Sequence, residues 1–119
     1  MRFYEIGGIN IGELAADGPP IAREADVNDI IGACYGTPTD LVIVPVSRLS
    51  ADFFNLRTRL AGAVVQKFVT YRLRVAFLGD ISAAVATSAA LGDFVRESNK
   101  GGQVLFVDDH DALKAMLAA

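Results

Sequence analysis

Leu41-Val42-Ile43-Val44-Pro45-Val46 is short and nearly unbroken in its apolar character. Such a run suits a strand covered on both faces, as strands are in parallel sheets flanked by helices. Pro45 has no N–H to give to a ladder, so the strand ends there or lies at an edge there. Leu73-Arg74-Val75-Ala76-Phe77-Leu78, closed by Gly79-Asp80, and Gln103-Val104-Leu105-Phe106-Val107 read as two further strands.

Around these runs the spacing becomes helical. Val27, Ile30, Ile31 and Cys34 fall at i, i+3, i+4 and i+7, Asp26 can cap that helix, and Gly36-Thr37-Pro38 ends it. Over residues 51–70, Leu56, Leu60, Val64 and Phe68 recur every four positions, with Phe53, Ala61 and Val65 beside them. This spacing predicts one long amphipathic helix. Arg57 falls in the middle of its apolar arc, so either the helix starts after Arg57 or the guanidinium points somewhere specific. Ser82 is an N-cap for a helix running to about Ser98, with Val85, Ala89, Leu91, Gly92, Phe94 and Val95 on its buried side. Asn99-Lys100-Gly101-Gly102 stops it. After the last strand, Asp108 or Asp109 caps a short helix with Leu113, Met116 and Leu117 inward.

At the N-terminal end, residues 2–6 and 9–15 are separated by Gly7-Gly8, which predicts a β-hairpin with a tight turn. Asp17-Gly18-Pro19-Pro20 is a breaker after the second of these runs. The order is therefore β-β-α-β-α-β-α-β-α. It predicts a single α/β domain over residues 1–119, with a mixed, mostly parallel sheet, an N-terminal antiparallel hairpin and about four helices. Helices confined to one face would leave part of the sheet open to solvent or to a partner.

Composition narrows the function classes. With 119 residues, 52% hydrophobic and 21% charged, the chain buries enough surface to fold without disulfides or metal. A net charge of −3 argues against a protein that coats nucleic acid. One Cys and one His are too few for a Cys/His zinc site. No run approaches the length of a membrane span, and the first residues lack an apolar signal core, so the expectation is a cytoplasmic domain without membrane insertion.

Three stretches carry a resemblance. Leu41 to Leu49 is similar to the central strand of the STAS domain, the fold of anti-sigma-factor antagonists (SpoIIAA-like proteins). Thr58-Arg59-Leu60-Ala61-Gly62 is similar to its Ser-Gly-Leu-Gly helix start, and the last strand with Asp109 to Leu117 to its closing β-α unit. A closer resemblance, over about residues 40–107, is to a bacterial family of unknown function, family 4180, usually grouped with STAS-like folds. It rests on Phe53-Phe54-Asn55-Leu56-Arg57-Thr58, Leu60-Ala61-Gly62, Gln66-Lys67-Phe68, Tyr71-Arg72, Gly79-Asp80 and Asp93-Phe94-Val95-Arg96-Glu97-Ser98-Asn99-Lys100-Gly101. Arg59 stands where that family usually has Gly, and Ala63 where it usually has Glu.

The resemblance implies a STAS-like fold and a regulatory role. In anti-sigma-factor antagonists a Ser at the start of the helix after the central strand is phosphorylated, and Thr58 sits at the similar position. A phosphate there could pair with Arg57 and Arg59. The plainer account of Thr58 is a threonine at a helix start. Residues 48–74 hold Arg48, Arg57, Arg59, Lys67, Arg72 and Arg74 against Asp52 alone. These form an acid-binding face or draw identical subunits together, unless the side chains simply diverge around one helix. Gly79-Asp80-Ile81-Ser82 lies where a strand meets a helix, the usual place for small ligands in open α/β sheets, although helix capping explains the same residues. His110, Cys34 and the acids at 108–111 fit capping or packing.

No paired base and nucleophile and no metal set emerge, so the expectation is a non-enzymatic module without cofactor. It would bind a regulatory protein partner, work as a homodimer, and make contact through Ser50 to Gly62, with Arg57 and Arg59 as anion contacts. The alternative expectation is a small-molecule or lipid-binding domain with a pocket near Asp80 and Ser82.

Overall fold

A computed structural model describes residues 1–118. Strands β1 (Arg2–Ile6) and β2 (Ile9–Glu13) form the expected hairpin, joined by Gly7 and Gly8. Their φ values of 54° and 85° supply the left-handed backbone that a two-residue turn requires. Strands β3 (Leu41–Pro45), β4 (Arg74–Leu78) and β5 (Val104–Val107) then add in parallel, giving one five-stranded sheet in the order β1-β2-β3-β4-β5. All five residues of β3 are buried, as its unbroken apolar run predicts, and Pro45 is its last residue.

Each parallel step moves to the next neighbour in the same direction. Crossovers of one hand therefore place their helices on one face. These helices are α1 (Asp26–Cys34), α2 (Ala51–Phe54), α3 (Leu60–Thr70), α4 (Ser82–Ala86) and α5 (Ala89–Gly101). Their core joins Val27, Phe53, Leu60, Val64 and Phe68 to Val42, Val44, Val75, Phe77 and Phe106 of the strands. A row of rings crosses it: Phe53 to Phe77 and Phe77 to Phe106 at 5.0 Å, then Phe106 to Phe94 at 5.9 Å between centroids. The opposite face carries α6 (His110–Ala118), whose Leu113 packs with Ile11, Leu41, Ile43, Ala76 and Leu105.

Two expected long helices are interrupted. The one expected over 51–70 breaks after Phe54, passes through a 3-10 turn at Leu56–Thr58, and restarts at Leu60. Asn55 Oδ1 accepts from Arg57 N–H at 3.2 Å, and Arg59 takes a left-handed conformation with φ 64°. The helix thus starts after Arg57. The one expected from Ser82 to Ser98 breaks at Thr87-Ser88. Ser88, not Ser82, is the cap of its long part and accepts from Leu91 N–H at 3.1 Å. Among the described residues six α-helices therefore stand where about four are expected.

Smaller differences have the same local origin. Asp26 does not cap α1. Its carboxylate accepts from Ala22 and Arg23 N–H in the preceding turn, and those bonds hold it below the usual carboxylate range. Asp109 does cap α6, accepting from Ala112 N–H at 2.8 Å. Met116 of that helix faces solvent rather than the core.

Candidate functional site

The break between α2 and α3 is anchored at both ends and exposed in the middle. Phe53 and Leu60 are buried, while Arg57, Thr58 and Arg59 are exposed. Thr58 closes the break. Its hydroxyl lies 2.6 Å from the Asp52 carbonyl and 2.8 Å from the Asn55 carbonyl, donating to one or sharing its proton. The same oxygen accepts from Leu60 N–H at 3.3 Å. Each of these carbonyls also accepts a backbone N–H, from Asn55 at 3.2 Å and from Thr58 at 3.0 Å, so the hydroxyl adds a second bond at the end of α2.

Neither Arg57 nor Arg59 pairs with a carboxylate among the described residues. Gly62, one turn on, is also exposed, and a Cβ built there meets nothing within 4 Å. Ser50, at the start of α2, is different. Its Oγ is buried with no hydrogen-bond partner.

The two helix breaks meet in space. Phe54, Asn55, Leu56 and Arg57 line one side of a cleft of about 500 Å³, and Thr87, Ser88, Ala89 and Ala90 line the other. Asn55, Arg57, Thr87 and Ser88 give it a polar lining with one cationic group. Thr87 and Ser88 were not legible as part of a site, because nothing in the sequence brings them against residues 54–57.

The basic segment does not form one patch. The Arg48 guanidinium donates to the carbonyls of Pro19 at 2.9 Å and Ala15 at 3.0 Å, holding the 15–19 loop. Arg74 donates to the Gly102 carbonyl at 2.9 Å. Arg57, Arg59 and Arg72 remain exposed, and Lys67 is half-buried.

At the end of β4, Gly79 has φ 142°, and a Cβ there would lie 2.3 Å from Val46 Cγ2. Packing against Val46 therefore accounts for this glycine. Asp80 accepts from Ser82 N–H at 2.8 Å, and that bond holds its carboxyl below the usual range. Both residues are exposed beside a cleft of about 200 Å³ whose other polar wall is Asp108. That is smaller than the roughly 300–1,000 Å³ of ordinary ligand pockets.

A second polar cluster joins residues far apart in the chain. His110 Nε2 lies 3.0 and 3.1 Å from the two Glu13 oxygens. The Tyr4 hydroxyl donates to Glu13 Oε1 at 2.5 Å, and Arg2 stands 3.5 Å from the same oxygen. Burial pushes the Glu13 carboxyl up, but the hydrogen bonds from Tyr4 and His110 and the Arg2 charge outweigh it, so the net shift is downward. Burial first, and then the Glu13 carboxylate, push the Tyr4 hydroxyl up to about 12. The cluster ties α6 to the hairpin. A separation of 97 residues between Glu13 and His110 left no local signal for it. Cys34 is buried in α1, and burial pushes its thiol up, which fits packing rather than reactivity.

Fold and site together define a mixed α/β domain whose crossover helices gather on one face and expose an interrupted helix at its edge. The chain belongs to the family described as a domain of unknown function, DUF4180, whose model matches residues 6–117. No curated protein and no solved structure matches it. Among the described residues, no helix is long and apolar enough to cross a membrane.

Proposed function

We propose that the protein is a non-enzymatic regulatory module of the STAS-like kind, an antagonist or adaptor working in the cytoplasm as a homodimer. Its surface for a regulatory protein partner is Ser50 to Gly62. The observation that carries this reading is Arg59. A left-handed backbone disfavours any residue with a Cβ, and the exposed guanidinium gains no carboxylate partner in return. An arginine held this way beside Arg57 suits contact with acidic groups of a second molecule. The polar cleft lined by Arg57 gives an acidic side chain of that partner a place to enter.

Thr58 is where such a contact would be controlled. Phosphorylation removes the hydroxyl proton that holds the carbonyls of Asp52 and Asn55. It also adds up to about two negative charges between two arginines. The break would then rearrange, and the arginines would turn from the partner to the phosphate.

The test is affinity capture from native lysate with wild-type protein and with Arg57→Ala and Thr58→Glu variants. A stoichiometric partner should be recovered by the wild type and weakened by both substitutions. Equal recovery by all three would rule this surface out. Intact-mass analysis across growth conditions should show a phosphorylated species that is lost in Thr58→Ala. A second reading, a small-molecule or lipid-binding domain, is favoured by the cleft beside Asp80 and Ser82. Saturable thermal stabilisation by a metabolite, lost on Asp80→Asn, would support it.

A further inference from the structure

The edge strands of a sheet each carry a row of unpaired N–H and C=O groups, and this sheet has two edges, β1 and β5. The two are finished differently. On β5, the Asn99 side chain of α5 accepts from Phe106 N–H at 2.7 Å and donates to the Phe106 carbonyl at 3.3 Å. At Phe106 a side-chain amide thus occupies the place of a neighbouring strand.

The β1 edge has no such cover. Within β2, the Asn10 carbonyl accepts from Asp40 N–H at 2.8 Å and Leu14 N–H donates to the Ile43 carbonyl at 3.0 Å. The even-numbered residues of β2 therefore face β3, and the odd-numbered ones face β1. The register sets Ile9 against Ile6, Ile11 against Tyr4 and Glu13 against Arg2. Main-chain groups of Phe3 and Glu5 consequently point out of the sheet. Among the described residues nothing meets them. β1 reads Arg-Phe-Tyr-Glu-Ile, with no proline or lysine to turn another strand away. Phe3 is 47% exposed, and a groove of about 500 Å³ lies beside it, walled by Phe3, Glu5, Asn10 and Pro38.

We propose that β1 pairs with β1 of a second copy of this chain, antiparallel, joining two five-stranded sheets into one. Antiparallel pairing of a strand with its own copy is two-fold symmetric, so each outward donor meets an acceptor with no further sequence requirement. Pairing along the full length of β1 sets Phe3 of one copy opposite Glu5 of the other. Each such pair exchanges both N–H···O bonds, and Tyr4 falls on the axis opposite its counterpart. The two Phe3 rings become diagonal neighbours, within reach of each other. Sliding two residues toward the turn would set Glu5 against Glu5, like charges directly opposite, which disfavours that register. This deepens the self-association part of the reading above but uses no residue between Ser50 and Gly62, so either can fail alone.

The test is sedimentation equilibrium of the whole chain up to about 1 mM, since edge pairing alone buries little area and gives a weak dimer. Mass should rise from one chain toward two. Glu5→Pro deletes an outward donor without touching the hairpin ladder, so it should keep the monomer's circular dichroism while weakening association at least about tenfold. On wild-type protein, hydrogen exchange of the Phe3 and Glu5 amides should slow as concentration rises, with no comparable change outside β1. A monomer at every concentration overturns the proposal, and so does a dimer whose new protection lies elsewhere.

Discussion

Arg59 and Arg72 both hold left-handed backbone, with φ of 64° and 60°, but for different reasons. Arg72 comes after α3 in a Schellman ending. Leu73 N–H donates to the Phe68 carbonyl at 2.9 Å, Arg72 N–H to the Val69 carbonyl at 3.0 Å, and both Phe68 and Leu73 are buried. The fold therefore needs the conformation at 72 to stop a helix. At 59 the conformation redirects the chain from a 3-10 turn into α3. Glu13 offers a separate test at this scale. Its folded pKa is depressed, so the unfolded chain binds more protons over the window in which it titrates. Its contribution is present above the ordinary glutamate pKa of about 4.3 and is lost as pH falls through the lower folded value. Urea denaturation should show wild type more stable than Glu13→Gln at pH 7, with the gap closing in acid. A gap independent of pH would mean that the carboxylate charge does not tie α6 to the hairpin.

Strands β3, β4 and β5 were legible because each is a short apolar run ending in a stop, but the sheet order was not, since crossovers of one hand are compatible with more than one order. The helix breaks were hidden by the same periodicity that revealed the helices. Leu56 continues the four-residue spacing of Leu60, Val64 and Phe68 yet lies in a 3-10 turn. The signals of the breaks are Asn55 with Thr58, and Thr87 with Ser88, whose short polar side chains compete for nearby backbone groups. Thr58 and Arg57 were legible as candidates, but the cleft that Arg57 lines with Thr87 and Ser88 was not, since it exists only after both crossovers are packed. Asn99 was similarly legible only as a helix-ending residue, although it also covers the β5 edge at Phe106. Asn99→Ala should lower stability by about 1–3 kcal/mol, because the bonds at 2.7 and 3.3 Å leave with it. Equilibrium denaturation measures this loss. A change within about 0.5 kcal/mol would show that the edge is solvated without penalty.

At the scale of the whole molecule, two surfaces stand apart. One is the open edge of β1, assigned above to a second copy. The other is the exposed break between α2 and α3, set over the aromatic row by Phe53 and over the sheet by Leu60, Val64 and Phe68. That surface is the one proposed for a different protein. The central claim is that the Arg59 side chain serves contact rather than folding, and Arg59→Gly, with Arg72→Gly as control, separates the two. Each substitution relieves left-handed backbone at an exposed position, so each should raise stability by about 1 kcal/mol in urea denaturation. Measured beside partner recovery from native lysate, Arg59→Gly should lose the partner while Arg72→Gly keeps it. Recovery undiminished in Arg59→Gly, at raised stability, would contradict the claim.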